Sequence, residues 1–481
     1  MREPGNWMSV GQKFEAMRQD IDLKAETKMR EGDPQAESLR SEGDVNFSAS
    51  RRAWADSHLD EETRQLLAED ARYFLHQSLS TPCLGVLRSC RGATVTDWQG
   101  RDLLDFHGNA AHQVGFAHPK VIEAIAAQLA SLPFCPRRYT NLPAIRLAKK
   151  LSELAPGDLN RVLFVPGGAE AIGMAIKLAR VATGRHKMIS MWDAFHGASL
   201  DAISISGEAM FRRGIGPLLP GCEHVPPADP SHCPFGCQGT CSLKCADYIE
   251  YVLEKEGDVA AVVGETIRNV PFIPPPEYWT KVRAACDKHG TLLILDEIPT
   301  GLGRSGRMFA CEHYGVVPDM LVLGKGLGGG VMPLAALLAR EGLNVGAHQA
   351  LGHYTHEKSP VACAAGLATL ECIENEHLLE HAWAMGDYAL KGLRELATRH
   401  EVVGNVRGLG LIMGVELVRD RQPRERAVEQ AERVMYRALA LGLNFKVTMG
   451  NILTLTPPLT VTKGELEKAL EILDQCLFEL G

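Results

Sequence analysis

No stretch of the 481-residue chain approaches the roughly 18 unbroken apolar residues of a membrane-spanning helix. The Met1-Arg-Glu-Pro-Gly-Asn start lacks the apolar core of a secretion signal. Membrane insertion is therefore not expected, and a cytoplasmic location is. An excess of positive charge is also missing: 51 basic residues against 59 acidic ones leave a formal charge of −8, so no broad electrostatic footprint for nucleic acid is expected. Paired C-x-x-C knuckles are absent although there are 13 cysteines. An odd number of cysteines in a long chain without a secretion signal reads as reduced thiols, not as a disulfide framework. Internal repeats and low-complexity tracts are lacking too. What is present, 45% apolar and 23% charged residues, is the composition of a globular protein with a deep core and two or three domains.

Residues 1–45 carry too few large apolar side chains to close a core and read as a polar, partly disordered arm. In residues 46–118, Leu59-Asp-Glu-Glu-Thr before Leu66 predicts a helix with an acidic first turn, and Val86 to Phe106 alternates like short strands broken at Arg91-Gly92 and Gln99-Gly100. This segment is expected to belong to a small domain. Residues 119–370 alternate apolar runs with helical segments, the pattern of a mainly parallel sheet with helices on its faces. Buried strands are predicted at Arg161 to Val165, Met188 to Met191, Ala260 to Gly264, Thr291 to Leu295, Met320 to Leu323 and Leu334 to Leu338. A long helix from about Val361 through Ile373 leads into residues 371–481, a second α+β unit.

In open α/β sheets the ligand crevice lies beyond the carboxyl ends of the strands, and four predicted strands end informatively. They deliver Asp296 and Glu297, Lys325, Glu265, and the turn Gly167-Gly168-Ala169, which runs straight into a helical segment. Free backbone N–H groups at such a turn suit a phosphate. Lys325 is flanked by Gly324 and by Gly326 to Gly330 apart from Leu327, and a desolvated amine is suited to Schiff-base work. An amine beside a phosphate turn points to pyridoxal phosphate, with Asp296 pairing with the pyridine nitrogen. Two G-x-G-x-x-G stretches, starting at Gly301 and Gly324, open no convincing helix in a βαβ unit and do not read as dinucleotide sites. Cys233, Cys237, Cys241 and Cys245, with His232 beside them and Cys222 and His224 upstream, could hold a tetrahedral zinc. Lacking knuckle spacing, and with a helix predicted over Ser242 to Leu253, the segment reads instead as a metal-free loop.

Gly167-Gly-Ala-Glu-Ala, Ala175-Ile-Lys-Leu-Ala-Arg, Phe195-His-Gly, Leu295-Asp-Glu-Ile-Pro-Thr-Gly-Leu-Gly-Arg-Ser-Gly, Leu323-Gly-Lys-Gly-Leu-Gly-Gly-Gly and Thr355 before Pro360-Val-Ala-Cys-Ala-Ala together resemble the class III aminotransferases, from about Pro82 to the C-terminus. These are fold-type I pyridoxal phosphate enzymes, and the 29-residue interval from Asp296 to Lys325 agrees with the family. The resemblance implies a large domain holding a mainly parallel seven-stranded sheet, and a small α+β domain built from both chain ends. It implies Lys325 as the Schiff-base lysine, Asp296 as the pyridine partner, Ile298 beneath the ring, and Phe195 above it with His196 alongside. Gly168 and Ala169 would serve the phosphate and Glu265 the substrate side. Thr355 would reach the phosphate of a neighbouring subunit, so a homodimer with shared sites is implied.

Several positions depart from the family pattern. The usual Ser-Gly-Thr of the phosphate turn is Gly167-Gly168-Ala169, and a glutamine near the ring is replaced by Pro299. The arginine that clamps α-carboxylates in members acting on α-amino acids is Thr454, which removes a bidentate partner. The implied substrate is a primary amine whose anionic group lies further from nitrogen, such as an amino(hydroxy)phosphonate. Arg137 and Arg138, next to Tyr139 and Asn141, are the candidates to bind it, and His353, His356 and Lys358 around Thr355 could add charge. Phe74-Leu-His-Gln-Ser-Leu-Ser-Thr-Pro-Cys, Ser190-Met-Trp-Asp-Ala-Phe-His-Gly and Gly352-His-Tyr-Thr-His-Glu-Lys-Ser-Pro are most similar to a lyase branch of the class, an ammonia-lyase of aminophosphonate catabolism. An ω-amine:keto-acid aminotransferase is the alternative within the class. A non-catalytic cofactor- or zinc-binding assembly protein is the alternative outside it.

Overall fold

The computed structural model describes residues 48–237, 241–421 and 424–480; the polar arm expected over residues 1–45 lies outside them. The chain enters through helix Ala49–His58, whose first turn is closed by Ser48 Oγ accepting from Arg51 N at 3.0 Å. Helix Glu61–Tyr73 follows, with Asp60 as its cap and Glu61 and Glu62 in its first turn, where they meet the positive end of the helix dipole. The alternating segment then forms a meander of β1 (Leu87–Arg91), β2 (Thr94–Asp97) and β3 (Asp102–Asp105).

A seven-stranded sheet is built from β4 (Arg161–Val165), β5 (Lys187–Met191), β6 (Cys222–Val225), β7 (Val259–Glu265), β8 (Leu292–Asp296), β9 (Met320–Leu323) and β10 (Ala335–Ala339). Their order is β4-β10-β9-β8-β7-β5-β6, and β10 is the one strand that runs antiparallel to its neighbours. Six of these strands lie within one residue of the positions expected from the sequence. The seventh, β6, is a four-residue edge strand of mixed polarity, Cys-Glu-His-Val, and carries no apolar run to announce it. Strands β7 to β10 are buried almost throughout because helices cover both faces. Ile172, Met174, Ala175 and Leu178 of helix Gly168–Thr183 pack on one face. Trp279, Val282 and Cys286 of helix Tyr278–His289 lie in the core cluster on the other.

The C-terminal region adds β11 (Val403–Leu409), β12 (Ile412–Asp420), β13 (Glu425–Arg426), β14 (Leu443–Asn444), β15 (Lys446–Thr448) and β16 (Ile452–Leu455). Strands β11-β12-β16-β15 make an antiparallel sheet with β13 paired to β12. Strand β14 instead joins β3 in parallel, Leu443 opposite Leu104 and Asn444 opposite Asp105, so the two ends of the chain share one sheet. This is the α/β architecture that the resemblance implies, with a mostly parallel sheet and a smaller α+β part drawn from both chain ends. Among the described residues, no helix is long and apolar enough to cross a membrane.

Candidate active site

Strands β4, β7, β8 and β9 run parallel, so their carboxyl ends open on one edge of the sheet, where ligands of such sheets bind. Strand β9 hands over to Gly324 and then to Lys325, whose φ is 45°. A left-handed non-glycine residue costs about 1–2 kcal/mol and persists only where its surroundings impose it. Here the following turn does so: a Cβ on Gly326 would stand 2.6 Å from the Gln113 side chain, and Leu327 is fully buried.

Asp296, the last residue of β8, is 1% exposed. Its Oδ1 accepts from Ile298 N at 3.0 Å and its Oδ2 bonds His196 Nδ1 at 2.7 Å. His196 is itself held, its backbone N–H donating to Ser206 Oγ at 2.8 Å and its Nε2 lying 3.4 Å from Ser190 Oγ. His196, grouped by the resemblance with the cofactor contacts, therefore fixes the direction of the Asp296 carboxylate through a hydrogen bond. Glu297 points away from the crevice. It takes Thr266 Oγ1 (2.9 Å) and Cys311 N (2.7 Å) on one oxygen and Ala310 N (2.6 Å) on the other. Burial pushes its carboxyl up to about 7 in spite of these donors, and its task is to hold the 310–311 turn.

Gly167 caps helix Gly168–Thr183 without a side-chain bond. A Cβ on Gly168 would lie 2.7 Å from Ile298 Cδ1, and one on Gly197 would lie 2.7 Å from the Ala169 Cβ. Any larger side chain would fill the cradle between the helix N-terminus and Ile298. The backbone N–H groups are thereby left open to an anion, as a phosphate requires.

These groups meet around a cavity of about 310 Å³ lined by Gly168, Ala169, Phe195, Asp296, Ile298 and Lys325, and also by Glu265, Arg268, Asn269 and Lys446. A second cavity of about 360 Å³ continues from it, sharing Phe195, Asn269, Lys325 and Lys446 and adding His107, Asn109 and Asn444. Phe195 forms an aromatic pair with Phe211 at 4.4 Å. Burial, reinforced by the charges of Lys446 and Lys325, pushes His107 down to about 3, so its imidazole is neutral. The residues present fit pyridoxal phosphate: an amine, a buried carboxylate with its orienting histidine, an open helix N-terminus and an apolar pair, Phe195 and Ile298, all line one cavity.

Other expected site residues lie elsewhere. Arg137 reaches His353 on the surface, with nitrogen separations of 2.8 and 2.6 Å, and neither Arg137 nor Arg138 lines either cavity. Thr355 is exposed and does not line either cavity of its own chain. Thr454 is fully buried and bonded to Thr448 Oγ1 at 2.7 Å. Cys233, Cys237, Cys241 and Cys245 are free thiols. The Ser242 hydroxyl, 3.2 Å from Cys237 Sγ, and the Ser242 N–H hold that thiol down at about 7. Cys245 is buried in the first turn of helix Lys244–Glu256. Sequence reasoning missed Arg268, Asn269, Lys446 and His107. The first two follow Glu265 and were within reach of the same strand-end rule; the other two come from opposite ends of the chain and carried no local signal.

The model of the class-III aminotransferase family matches residues 77–477. The chain is 46% identical over 458 residues to (R)-1-hydroxy-2-aminoethylphosphonate ammonia-lyase of Vibrio splendidus, covering 92% of this chain and 96% of that one. It is 36% identical over 425 residues to a leucine/methionine racemase of Thermococcus litoralis, covering 86% and 96%. Among solved structures, an amine transaminase from an uncultivated Pseudomonas species in its PLP-bound form aligns with a TM-score of 0.80 at 31% identity, over 85% of this chain and 99% of that one. An omega transaminase from Pseudomonas jessenii in complex with PMP aligns with a TM-score of 0.81 at 30% identity, over 86% and 98%.

Proposed function

The chain belongs to the class-III aminotransferase family, and from that premise we propose that it is a pyridoxal-phosphate-dependent ammonia-lyase. Its substrate is (R)-1-hydroxy-2-aminoethylphosphonate, and its products are phosphonoacetaldehyde and ammonia. The single observation that carries the substrate is the 46% identity over nearly the full length of both chains to the Vibrio enzyme of that name. The cavity supports the chemistry.

Pyridoxal phosphate, held by Lys325, Asp296, Ile298, Phe195 and the N–H groups at Gly168 and Ala169, supplies a carbonyl that condenses with amines and a ring that accepts an electron pair. Lys325, once displaced by the substrate amine, is the general base: its Nζ takes a proton from the carbon bearing nitrogen. The same ammonium is then the acid that protonates the departing hydroxyl, so one proton is moved and none is consumed. The water formed equals the water used when the carbon–nitrogen bond of the enamine product is hydrolysed, and no keto-acid acceptor enters the balance. Asp296, aimed by His196 at 2.7 Å, would support the ring nitrogen. Glu265, at the end of β7, lines the same cavity and would serve its substrate side.

In the same proposal the protein is a homodimer in which Thr355 of each subunit serves the cavity of the other; that Thr355 is exposed and outside the lining of its own cavity supports this arrangement. The experiment is ammonia release from (R)-1-hydroxy-2-aminoethylphosphonate by holoenzyme without a keto acid, beside 2-aminoethylphosphonate plus pyruvate. Catalytic ammonia and aldehyde without acceptor are expected. Turnover that appears only with pyruvate would make the enzyme a transaminase. Lys325→Ala abolishes both activities and the visible absorbance of lysine-bound cofactor.

A further inference from the structure

The cavity that holds the expected cofactor contacts also carries polar groups without a hydrogen-bond partner among the described residues. Arg268, 7% exposed, gives Nη2 to the Asp193 carbonyl and stands with Nε 3.5 Å from Glu265 Oε2, while its Nη1 has no hydrogen-bond partner. The next residue, Asn269, leaves its Oδ1 without one. A buried polar atom left unpaired costs about 1–3 kcal/mol, and native proteins keep such atoms where a ligand or ordered water completes them. Both residues line the cavity that contains Lys325.

The charge pattern adds an independent argument. Carboxylates of Asp193, Glu208, Glu265 and Asp296 line the cavity with the cofactor contacts, but among the described residues none lines the continuing 360 Å³ cavity, where Lys446 is the cation that remains when Lys325 holds the cofactor. Lys446 sits where the two cavities join, on β15, and acts with Lys325 on the neutral His107. The head group of the proposed substrate is one carbon removed from the carbon that bears nitrogen. It must therefore lie within the cavity of Lys325, which excludes Arg137 and Arg138 of the same chain, since they line neither cavity.

We propose that Arg268, Asn269 and Lys446 form a subsite for a tetrahedral oxyanion and that it takes the phosphonate head group of the substrate. The guanidinium presents a directed N–H, the ammonium a point charge, and the carboxamide oxygen an acceptor for the neighbouring hydroxyl of the substrate. Arg268 keeps Glu265 as its second partner, so the cation is held in place before the anion arrives. The identity of the anion as a phosphonate rests on the function proposed above; the subsite itself rests on the unsatisfied atoms and the distribution of charge.

The test uses holoenzyme with wild-type sequence, Arg268→Gln, Arg268→Lys and Lys446→Met. It reads KM and kcat for ammonia release and, separately, binding of methylphosphonate by calorimetry. Losing one charge-assisted hydrogen bond is expected to raise KM on the order of 10- to 100-fold in Arg268→Gln and in Lys446→Met, with a smaller change in kcat. Methylphosphonate affinity falls by the same factor, Arg268→Lys recovers part of it, and the visible cofactor absorbance stays. Lys446→Met guards against a folding defect in Arg268→Gln, whose guanidinium also covers Phe272 at 5.0 Å. Unchanged KM and unchanged methylphosphonate affinity in Lys446→Met and Arg268→Gln overturn the subsite. If wild-type enzyme releases no ammonia but binds methylphosphonate, and the variants lose that binding, the subsite stands and the substrate assignment falls.

Discussion

His232 ties the loop after β6 to the C-terminal sheet, and its removal is a quantitative test of how the cavity wall is supported. Its Nδ1 lies 3.1 Å from Asp229 Oδ2 and its Nε2 lies 3.1 Å from Glu416 Oε1 on β12; Arg407 Nη1 reaches the other Glu416 oxygen at 2.6 Å. The hydrogen bond to Asp229, then the close approach of Glu416, holds the His232 imidazole up at about 9, against 6.5 ordinarily. Burial works to raise Glu416, yet His232 and Arg407 bring it down to about 2. A histidine raised on folding contributes stability that is complete below 6.5 and is lost as pH rises through about 9. A carboxylate lowered on folding contributes stability that is complete above 4.5 and is lost as pH falls through about 2. The cluster is therefore fully stabilising between 4.5 and 6.5. The interval from 6.5 to about 9 corresponds to at most about 3 kcal/mol. Water reaching the ring, 29% exposed, screens this to about 1–2 kcal/mol.

Urea unfolding of holoenzyme, wild type against His232→Gln, measured below pH 6.5 and above pH 9, reads this directly. Wild type is expected to lose about 1–2 kcal/mol more than the variant across that interval. Parallel pH dependence in the two proteins would refute the reasoning. The cluster also reaches the cavity: Arg407 Nε donates to Pro271 O at 2.9 Å, and its guanidinium lies 4.8 Å from the centre of the Phe272 ring that Arg268 also covers. Loosening it at high pH should raise KM for the anionic substrate in wild type more steeply than in His232→Gln.

Asp296→Asn should lower kcat on the order of 100-fold or more, because it removes a charge complementary to the ring nitrogen; His196→Leu, which leaves that carboxylate in place but unaimed, should cost nearer 10-fold, both read as single-turnover rates. Gly168→Val should lose cofactor affinity without loss of fold, since its side chain would enter the space between the helix N-terminus and Ile298; dialysis followed by absorbance titration with pyridoxal phosphate checks it. Gly386→Ala should destabilise by about 2–3 kcal/mol, because its Cβ would meet the Gly410 carbonyl oxygen at 2.2 Å, backbone against backbone; thermal unfolding with saturating cofactor measures it.

Much of the large sheet was legible because its strands are buried on both faces and so are written as unbroken apolar runs, as in Ala260-Ala-Val-Val and Leu292-Leu-Ile-Leu. Lys325 and Asp296 were legible for the same reason: each is the first polar side chain at or just past the end of such a run. Strand β6 was not, since an edge strand pairs on one side only and its residues 222–224 are half-buried. The pairing of β14 with β3 was not legible either. It joins Leu443 to Leu104 through two residue pairs, too short to leave a period and too distant in sequence to leave a local signal.

The same distinction separates the chemistry of the site from its specificity. Lys325, Asp296 and the Gly168–Ala169 turn, which would hold the cofactor, stand at or just past the ends of strands of one sheet, where small backbone errors are suppressed by neighbouring strands. The groups proposed for the head group come from two units: Arg268 and Asn269 from the loop after β7, Lys446 from β15 of the C-terminal sheet. Strand β15 can change its side chains without disturbing β8 or β9, because it pairs only with β16, Lys446 opposite Thr454. Directly opposed residues of an antiparallel pair share one face, so a cation placed at either position is held by the same pair of strands, on the same side. In this chain Thr454 is taken up by its bond to Thr448 and buried, and the cation stands across the ladder at Lys446, at the join of the two cavities. Substitution on that one ladder is thus enough to move the anion-binding charge relative to Lys325, and with it the distance between amine and acid group that the cavity accepts.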